Sequence, residues 1–250
     1  MLTNDRQQQI LSMLSRDRSV TVAELSERLY ASASTIRRDL TELEGLGYIK
    51  RVHGGAVLTM GSMYDAPESL RKTRQLEEKL KIASIAERFL RPSSTYFFDS
   101  SSTSAVLAPR LTDYPDVRIA TNGTYIISSM QSTPDLSIIS CGGSLLSTYG
   151  ELTGAITLRS ISDMFADVFF FSCAGISIER GATELREDNV AVKRAFWNNS
   201  RQRILLCDST KFGKEFFYRL LPADEADYII TDKRPPDEYI DLYGDKLIYE

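Results

Sequence analysis

Apolar residues in the first 57 positions recur at helical spacing in three short runs. Ile10, Leu11 and Leu14 form one stripe; Val22, Leu25 and Leu29 form a second; Ile36, Leu40 and Leu43 form a third. This spacing predicts three short amphipathic helices. Thr21 with Glu24 has the form of a capping box, in which the hydroxyl takes the N3 amide and the carboxylate returns to the cap amide. Ser32 suits the N-cap of the third helix, and Gly45 and Gly47 suit its end. The Ala31–Ser32 link is as short as the turn of a helix-turn-helix. After Tyr48 the period changes. Two strand-like pieces flank a Gly-Gly pair in the run from Tyr48 to Val57, which predicts a β-hairpin wing.

Residues 58 to 67 break both periods with Gly61, Ser62, Asp65 and Pro67, and mark a boundary. The expected organisation is a winged helix-turn-helix over 1–57, a linker over 58–75 and an α/β domain over 76–250. A long helix is expected from Glu68 to Leu90, with Leu70, Leu76, Leu80, Ile82, Ile85 and Phe89 among charged residues. Beyond it, apolar runs alternate with helical segments. Strands are expected near Tyr96–Phe98, Val117–Ala120, Leu136–Ile139, Val168–Phe171, Ile204–Leu206 and Tyr228–Ile230. Helices are expected near Ser102–Leu111 and Tyr125–Met130. Alternation of this kind predicts a mainly parallel, Rossmann-like sheet covered by helices, so the fold class is α/β.

Composition narrows the function. No apolar run reaches the roughly 20 residues of a membrane helix, and no signal-peptide core follows the start. The three cysteines, Cys141, Cys173 and Cys207, are scattered among apolar runs and read as buried free thiols, in keeping with a reducing cytoplasm. The single histidine, His53, argues against a metal site or a histidine-based catalytic triad, and no cofactor is expected. The net charge of −4 rules out a basic coat, so any nucleic-acid binding has to come from a local basic face.

Helix three supplies such a face. With its apolar stripe turned inward, Ser34, Arg37, Arg38 and Thr41 face out. Arginine reads guanine edges, hydroxyls take phosphates or bases, and Lys50 and Arg51 add phosphate-seeking charge from the wing. Asp39, on the flank, suits an ion pair with a neighbouring arginine. A plain helical bundle with a solvated arginine pair would explain the charges, but not their coincidence with capping, short turn and wing.

In the second domain the expected strands end in polar loops. These begin at Asp99-Ser100-Ser101-Ser102-Thr103, Thr121-Asn122, Cys141-Gly142-Gly143, Cys173-Ala174-Gly175 and Asp208-Ser209-Thr210-Lys211. In parallel sheets ligands bind beyond the carboxyl ends of the strands, so the five loops predict a small-molecule site on one rim, with Lys211 as a charge for an anion.

The run Thr35-Ile36-Arg37-Arg38-Asp39-Leu40, followed by Leu43, Gly47 and Arg51-Val52-His53-Gly54-Gly55-Ala56, resembles the DeoR family of bacterial repressors. Asp99 to Thr103, Thr121-Asn122, Gly142-Gly143, Gly150, Asp167, Gly175, Gly181, Lys193 and Asp208 to Gly213 resemble that family's sensor domain, which is similar in fold to ribose-phosphate isomerase and glucosamine-phosphate deaminase. The resemblance covers nearly the whole chain. It implies operator DNA contacts from Ser34, Thr35, Arg37, Arg38, Thr41, Lys50, Arg51 and His53. It also implies a phosphorylated sugar or related effector, with Ser101, Ser102, Thr103 and Lys211 at the phosphate and Asp99, Asn122, Glu184 and Lys193 near the sugar. Thr121, Gly142, Gly143 and Gly175 complete the expected site.

The family pattern has glycine where this chain has Ser101. The expected function is a cytoplasmic, homo-oligomeric repressor of carbohydrate-metabolism genes, released by its effector. The alternatives are a constitutive DNA-binding protein whose second domain only oligomerises, and a sugar-phosphate isomerase or deaminase using Glu184 or Asp99 as base beside Lys193.

Overall fold

The computed structural model describes residues 5–17, 19–45, 48–58, 66–133 and 136–250, in two compact units divided between Arg74 and Gln75. Gly47 and residues 59–65 of the expected linker, including Gly61, Ser62 and Asp65, lie outside the described residues.

The first unit begins with α1 (Asp5–Asp17), β1 (Ser19–Thr21), α2 (Val22–Arg28) and α3 (Ala33–Gly45), and continues with β2 (Ile49–Val52) and β3 (Gly55–Leu58). All three apolar stripes turn inward. Ile10, Leu14, Leu25, Ile36, Leu40 and Leu43 are fully buried in one cluster. The capping box forms as expected: the Glu24 amide donates to Thr21 Oγ1 at 3.2 Å, and the Thr21 amide donates to Glu24 Oε2 at 2.8 Å. Ser32 caps α3 by accepting from the Thr35 amide at 3.2 Å.

The strands pair antiparallel in the order β1-β3-β2. The wing turns at His53-Gly54, with Gly54 at φ +80, while Gly55 already pairs with Val52. Gly55 is glycine for want of space: a Cβ there would stand 2.3 Å from the Val20 carbonyl oxygen. A short helix, α4 (Glu68–Thr73), closes the unit by burying Leu70, together with Ala66, in the same core.

The long helix expected from Glu68 to Leu90 is two helices. Arg74 is extended and Gln75 is left-handed (φ 48), so α5 runs only over Leu76–Ala86. The break turns Leu76 and Leu80 to the surface, although their spacing placed them on the apolar face.

The second unit holds seven parallel strands: β4 (Thr95–Phe98), β5 (Arg118–Thr121), β6 (Ser137–Ser140), β9 (Ala166–Phe171), β12 (Ser200–Leu206), β14 (Tyr228–Ile230) and β15 (Leu247–Ile248). Their order is β15-β14-β12-β9-β4-β5-β6. Alternate residues face opposite ways. Tyr96, Phe98, Val168 and Phe170 pack under α5, α6 (Ser104–Leu107) and α7 (Thr124–Met130). Phe97, Phe169 and Phe171 pack under α8 (Ala155–Ser162), α9 (Glu187–Asn198) and α10 (Asp237–Tyr243). The helix expected over 102–111 is a single α-turn continued by a 3-10 stretch, Ala108–Asp113, with Pro109 near its start.

Two antiparallel elements stand at the carboxyl edge. One is the hairpin β7 (Ser144–Leu146) with β8 (Glu151–Thr153). The other is the sheet of β10 (Gly175–Ser177), β11 (Gly181–Glu184) and β13 (Tyr218–Leu221). The strand order reverses between β4 and β9: β5 and β6 lie to one side, and β9, β12, β14 and β15 to the other. A crevice beyond the carboxyl ends of β4 and β9 is therefore the expected ligand position.

Candidate functional site

In the first unit, α3 and the wing form one basic surface. Ser34, Arg37, Arg38 and Thr41 are exposed, and Thr35 is half-buried. Lys50, Arg51 and His53 are exposed along the wing. The wing is tied to the helix by Arg51, whose amide donates to Glu44 Oε1 at 2.8 Å and whose guanidinium donates to Thr41 Oγ1 at 3.2 Å. Between them lies a notch of about 450 Å³ lined by Ala33, Arg37, Arg51, Val52 and Gly54. Asp39 faces inward and takes a two-pronged contact from Arg6, at 2.5 and 3.2 Å. It fixes α3 to α1, and at 1% exposure it has no surface to offer DNA.

In the second unit, the crevice between β4 and β9 holds a buried charge network. Asp99, at the end of β4, is wholly enclosed. Its Oδ1 accepts from the Ser101 amide at 3.2 Å and from the Ser101 and Ser104 hydroxyls at 2.6 Å each. Its Oδ2 accepts from the Ser172 amide at 3.0 Å and lies 3.2 Å from Lys193 Nζ. Lys193, from the buried face of α9, also donates to Glu184 and to the Ser172 carbonyl at 2.7 Å. Burial alone would lower the Lys193 pKa; Glu184 and Asp99 outweigh it and hold the ammonium above the ordinary lysine range.

Lys211 Nζ donates to Ser172 Oγ at 2.7 Å and stands 3.5 Å from Asp208. Against the opposing pull of burial, Asp208 keeps Lys211 above the lysine range. Burial would raise the Asp208 carboxyl, but Lys211, the Thr210 hydroxyl and Lys79 hold it below the carboxylate range. The two lysines named in the sequence thus meet at one point, Ser172.

Ser101 takes a part that glycine cannot. Its hydroxyl turns back to Asp99 and accepts from the Ser104 amide at 3.1 Å, capping α6 from within the loop. Ser102 is half-buried and Thr103 buried beside it. Thr121 Oγ1 accepts from the Gly123 amide at 3.0 Å, and Asn122 Nδ2 donates to the Leu152 carbonyl at 3.2 Å. The glycines serve packing. A Cβ on Gly143 (φ +104) would stand 2.1 Å from Thr157 Oγ1, and one on Gly175 would stand 2.4 Å from the Lys214 carbonyl oxygen. The Gly142 carbonyl takes the Thr157 hydroxyl at 2.6 Å.

Sequence reasoning missed Ser172, Lys79 and a polar group around Glu151, and it named Asp208 only as the start of a rim loop. Lys79 carried a signal: it stands where the apolar stripe Ile82, Ala83 and Ala86 calls for an apolar residue, and it is buried. Glu151, 1% exposed, accepts from Arg186 and, at 3.0 Å, from Asn189 Nδ2; the Arg186 guanidinium lies 3.6 Å over the Tyr149 ring. Cys141, Cys173 and Cys207 are buried free thiols, and burial pushes Cys141 up to about 12. Among the described residues no group of three His, Cys, Asp or Glu side chains forms a metal site, and no helix is long and apolar enough to cross a membrane.

Two family models match the chain. A model of the DeoR-like helix-turn-helix domain matches residues 6–60, and one of the DeoR C terminal sensor domain matches residues 74–233. The HTH-type transcriptional regulator GolR of Listeria innocua is 33% identical over 234 residues, 94% of this chain and 92% of that protein. The glycerol-3-phosphate regulon repressor of Escherichia coli is 32% identical over 248 residues, 99% of this chain and 98% of that one. Among solved structures, ribose 5-phosphate isomerase from Plasmodium falciparum is 10% identical, with a TM-score of 0.39 over 54% of this chain and 51% of that one.

Proposed function

The chain belongs to the DeoR family of helix-turn-helix transcription regulators, and from that premise we propose that it represses carbohydrate-metabolism genes until a phosphorylated sugar or polyol binds the carboxyl edge of its parallel sheet. The observation that carries the effector half is the meeting of Lys193 and Lys211 at Ser172, in the crevice where the strand order reverses. Lys211, with 18% of its side chain exposed, is the cation that an incoming phosphate reaches. Lys193, enclosed by Asp99 and Glu184, shapes the site. A relative that spans the whole chain is named for the glycerol-3-phosphate regulon, which agrees with a phosphorylated ligand of few carbons.

On the DNA side, Arg37, Arg38, Ser34 and Thr41 enter the major groove, and Lys50, Arg51 and His53 follow the phosphates. Phosphate contacts of the wing give affinity and salt dependence; base contacts of α3 give sequence. The working form is a cytoplasmic homo-oligomer that matches repeated half-sites. The acid–base alternative loses its base, because five donors hold Asp99 and Lys193 holds Glu184. The relatives named above are regulators of transcription.

The test is a thermal-shift screen of the full chain against sugar and polyol phosphates, their unphosphorylated parents and inorganic phosphate. A ligand bound only to the native state raises Tm. The expected result is a shift with at least one phosphorylated compound, absent with its parent and lost in Lys211→Ala. A shift that survives in Lys211→Ala removes Lys211 from the phosphate. No shift with any compound contradicts the effector reading.

A further inference from the structure

The β6 end of the parallel sheet differs from the rest of the chain in charge. Charged residues make up 26% of the sequence, yet from Ile119 to Leu158 they are Asp135 and Glu151 alone. Glu151 is buried against Arg186 and Asn189. This stretch builds β5, α7, β6, the β7–β8 hairpin and the start of α8, at one end of the second unit. Its surface carries serines, among them Ser137, Ser140, Ser144 and Ser147. It also carries three aliphatic side chains that the fold leaves out: Ile139 is 40% exposed, Leu145 55% and Ile156 66%.

β6 itself pairs with β5 on one side, and among the described residues no strand covers the other. An uncovered strand offers unpaired amides and carbonyls to any strand that meets it, and folded chains guard such edges with charge, proline, a bulge or shortness. The opposite edge is guarded: β15 is two residues long and is followed by Glu250, which reaches Arg88. β6 has no such guard. Ser137-Ile138-Ile139-Ser140 is uncharged, holds no proline and pairs with β5 residue for residue. Alternation turns Ile138 into the cluster under α7 and leaves Ile139 on the other face, the face of Cys141 and α8. Ile156 stands beside the end of the strand, since a Cβ on Gly142 would meet Ile156 Cγ2 at 3.7 Å.

We infer that the uncovered edge of β6 docks a second copy of this chain, whose own β6 runs antiparallel to it across a two-fold axis, so that two seven-stranded sheets join edge to edge. This rests on the homo-oligomer proposed above and names its contact. A two-fold contact sets each patch against itself. A patch of one sign would repel its twin, whereas an uncharged patch is self-compatible, and interface cores are depleted of charge in the same way. With no lysine or arginine between Ile119 and Leu158, the edge offers nothing to the phosphates of a nucleic acid. When the axis stands normal to the sheet, residues on one face oppose residues on the same face. Ile139 of one copy then meets Ile139 of the other, and the exposed Ile156 of each copy flanks them.

The experiment is sedimentation velocity of the full chain over a range of concentrations, for wild type, Ile139→Lys, Ile139→Glu and an equimolar mixture of the two variants. Ile139 is exposed in the single chain, so both variants are expected to fold, which circular dichroism checks. Across the axis each variant sets two like charges opposite one another, and self-association is expected to weaken about tenfold or more. In the mixture unlike charges meet, and association is expected to return. Self-association that is unchanged in both variants, or lost in both and not restored by mixing, overturns the β6 contact and leaves the homo-oligomer standing. A wild-type chain that stays single at every concentration overturns the homo-oligomer itself, and the β6 contact with it, and leaves the edge to a strand of another protein.

Discussion

Arg38 projects from α3 with 75% of its side chain exposed, and its ion pair with Glu42 spans 3.9 Å, so little in the fold depends on it. Arg38→Ala is expected to leave Tm unchanged and to weaken binding to the cognate promoter by about 1–3 kcal/mol, measured by fluorescence anisotropy. Unchanged affinity would remove Arg38 from the recognition surface. Lys193 is the opposite case. Lys193→Met leaves Asp99 and Glu184 buried without their cation, which is expected to cost about 3–5 kcal/mol in urea unfolding.

The titrations have definite signs. Lys193 and Lys211 are held above their unfolded value, so their contribution is complete below about pH 10.4 and is lost as pH rises beyond it. Asp208 is held below its unfolded value, so its contribution is present above about pH 3.9 and is lost as pH falls. Urea midpoints across the two limbs check this, with Lys211→Met expected to flatten part of the alkaline one. An alkaline limb identical in wild type and variant would contradict it. At this scale the outward residues of α3 were legible, because helical period alone fixes which way they face. Ser172 and Glu151 were not, because their roles come from strands and loops brought together only by the fold.

Among the elements, the wing depends on one close approach. Gly55→Ala sets a methyl group 2.3 Å from the Val20 carbonyl oxygen and is expected to destabilise the first unit by about 1–3 kcal/mol and to weaken DNA binding. A variant with unchanged Tm and unchanged DNA affinity would show that β1 and β3 can part without consequence. The three helices, the wing and six of the parallel strands were readable because each carries a clean period or a full apolar run. The antiparallel pieces β7, β8, β10, β11 and β13 are only three or four residues long, too short for a period to declare itself, and β15 has two residues. The break at Gln75 escaped as well. Nothing in the apolar spacing of 68–90 announces a left-handed non-glycine residue; Leu70 is drawn into the first unit's core and Ile82 into the second's. The carboxyl-edge loops were legible as a group, since a parallel sheet must bring them to one side. Which of their atoms the fold itself occupies, as at Asp99 and Thr121, was not.

As a whole, the molecule acts as a proposed switch through two binding events in one chain, DNA at the first unit and a phosphorylated metabolite at the second, linked in free energy. Linkage of this kind is reciprocal: if the metabolite weakens DNA binding by some factor, DNA weakens metabolite binding by the same factor. The reversal of strand order that locates the crevice, and the basic face of α3, are separate features, and either could exist without the other. Their coupling is what makes the chain a regulator rather than a DNA-binding protein with an idle second unit. The deciding measurement is the affinity of the full chain for its cognate promoter with and without a phosphorylated compound that raises its Tm, together with the affinity for that compound with and without saturating promoter. Equal factors well above one in both directions are the expected result. A promoter affinity that does not respond to any such compound would contradict the account at its centre.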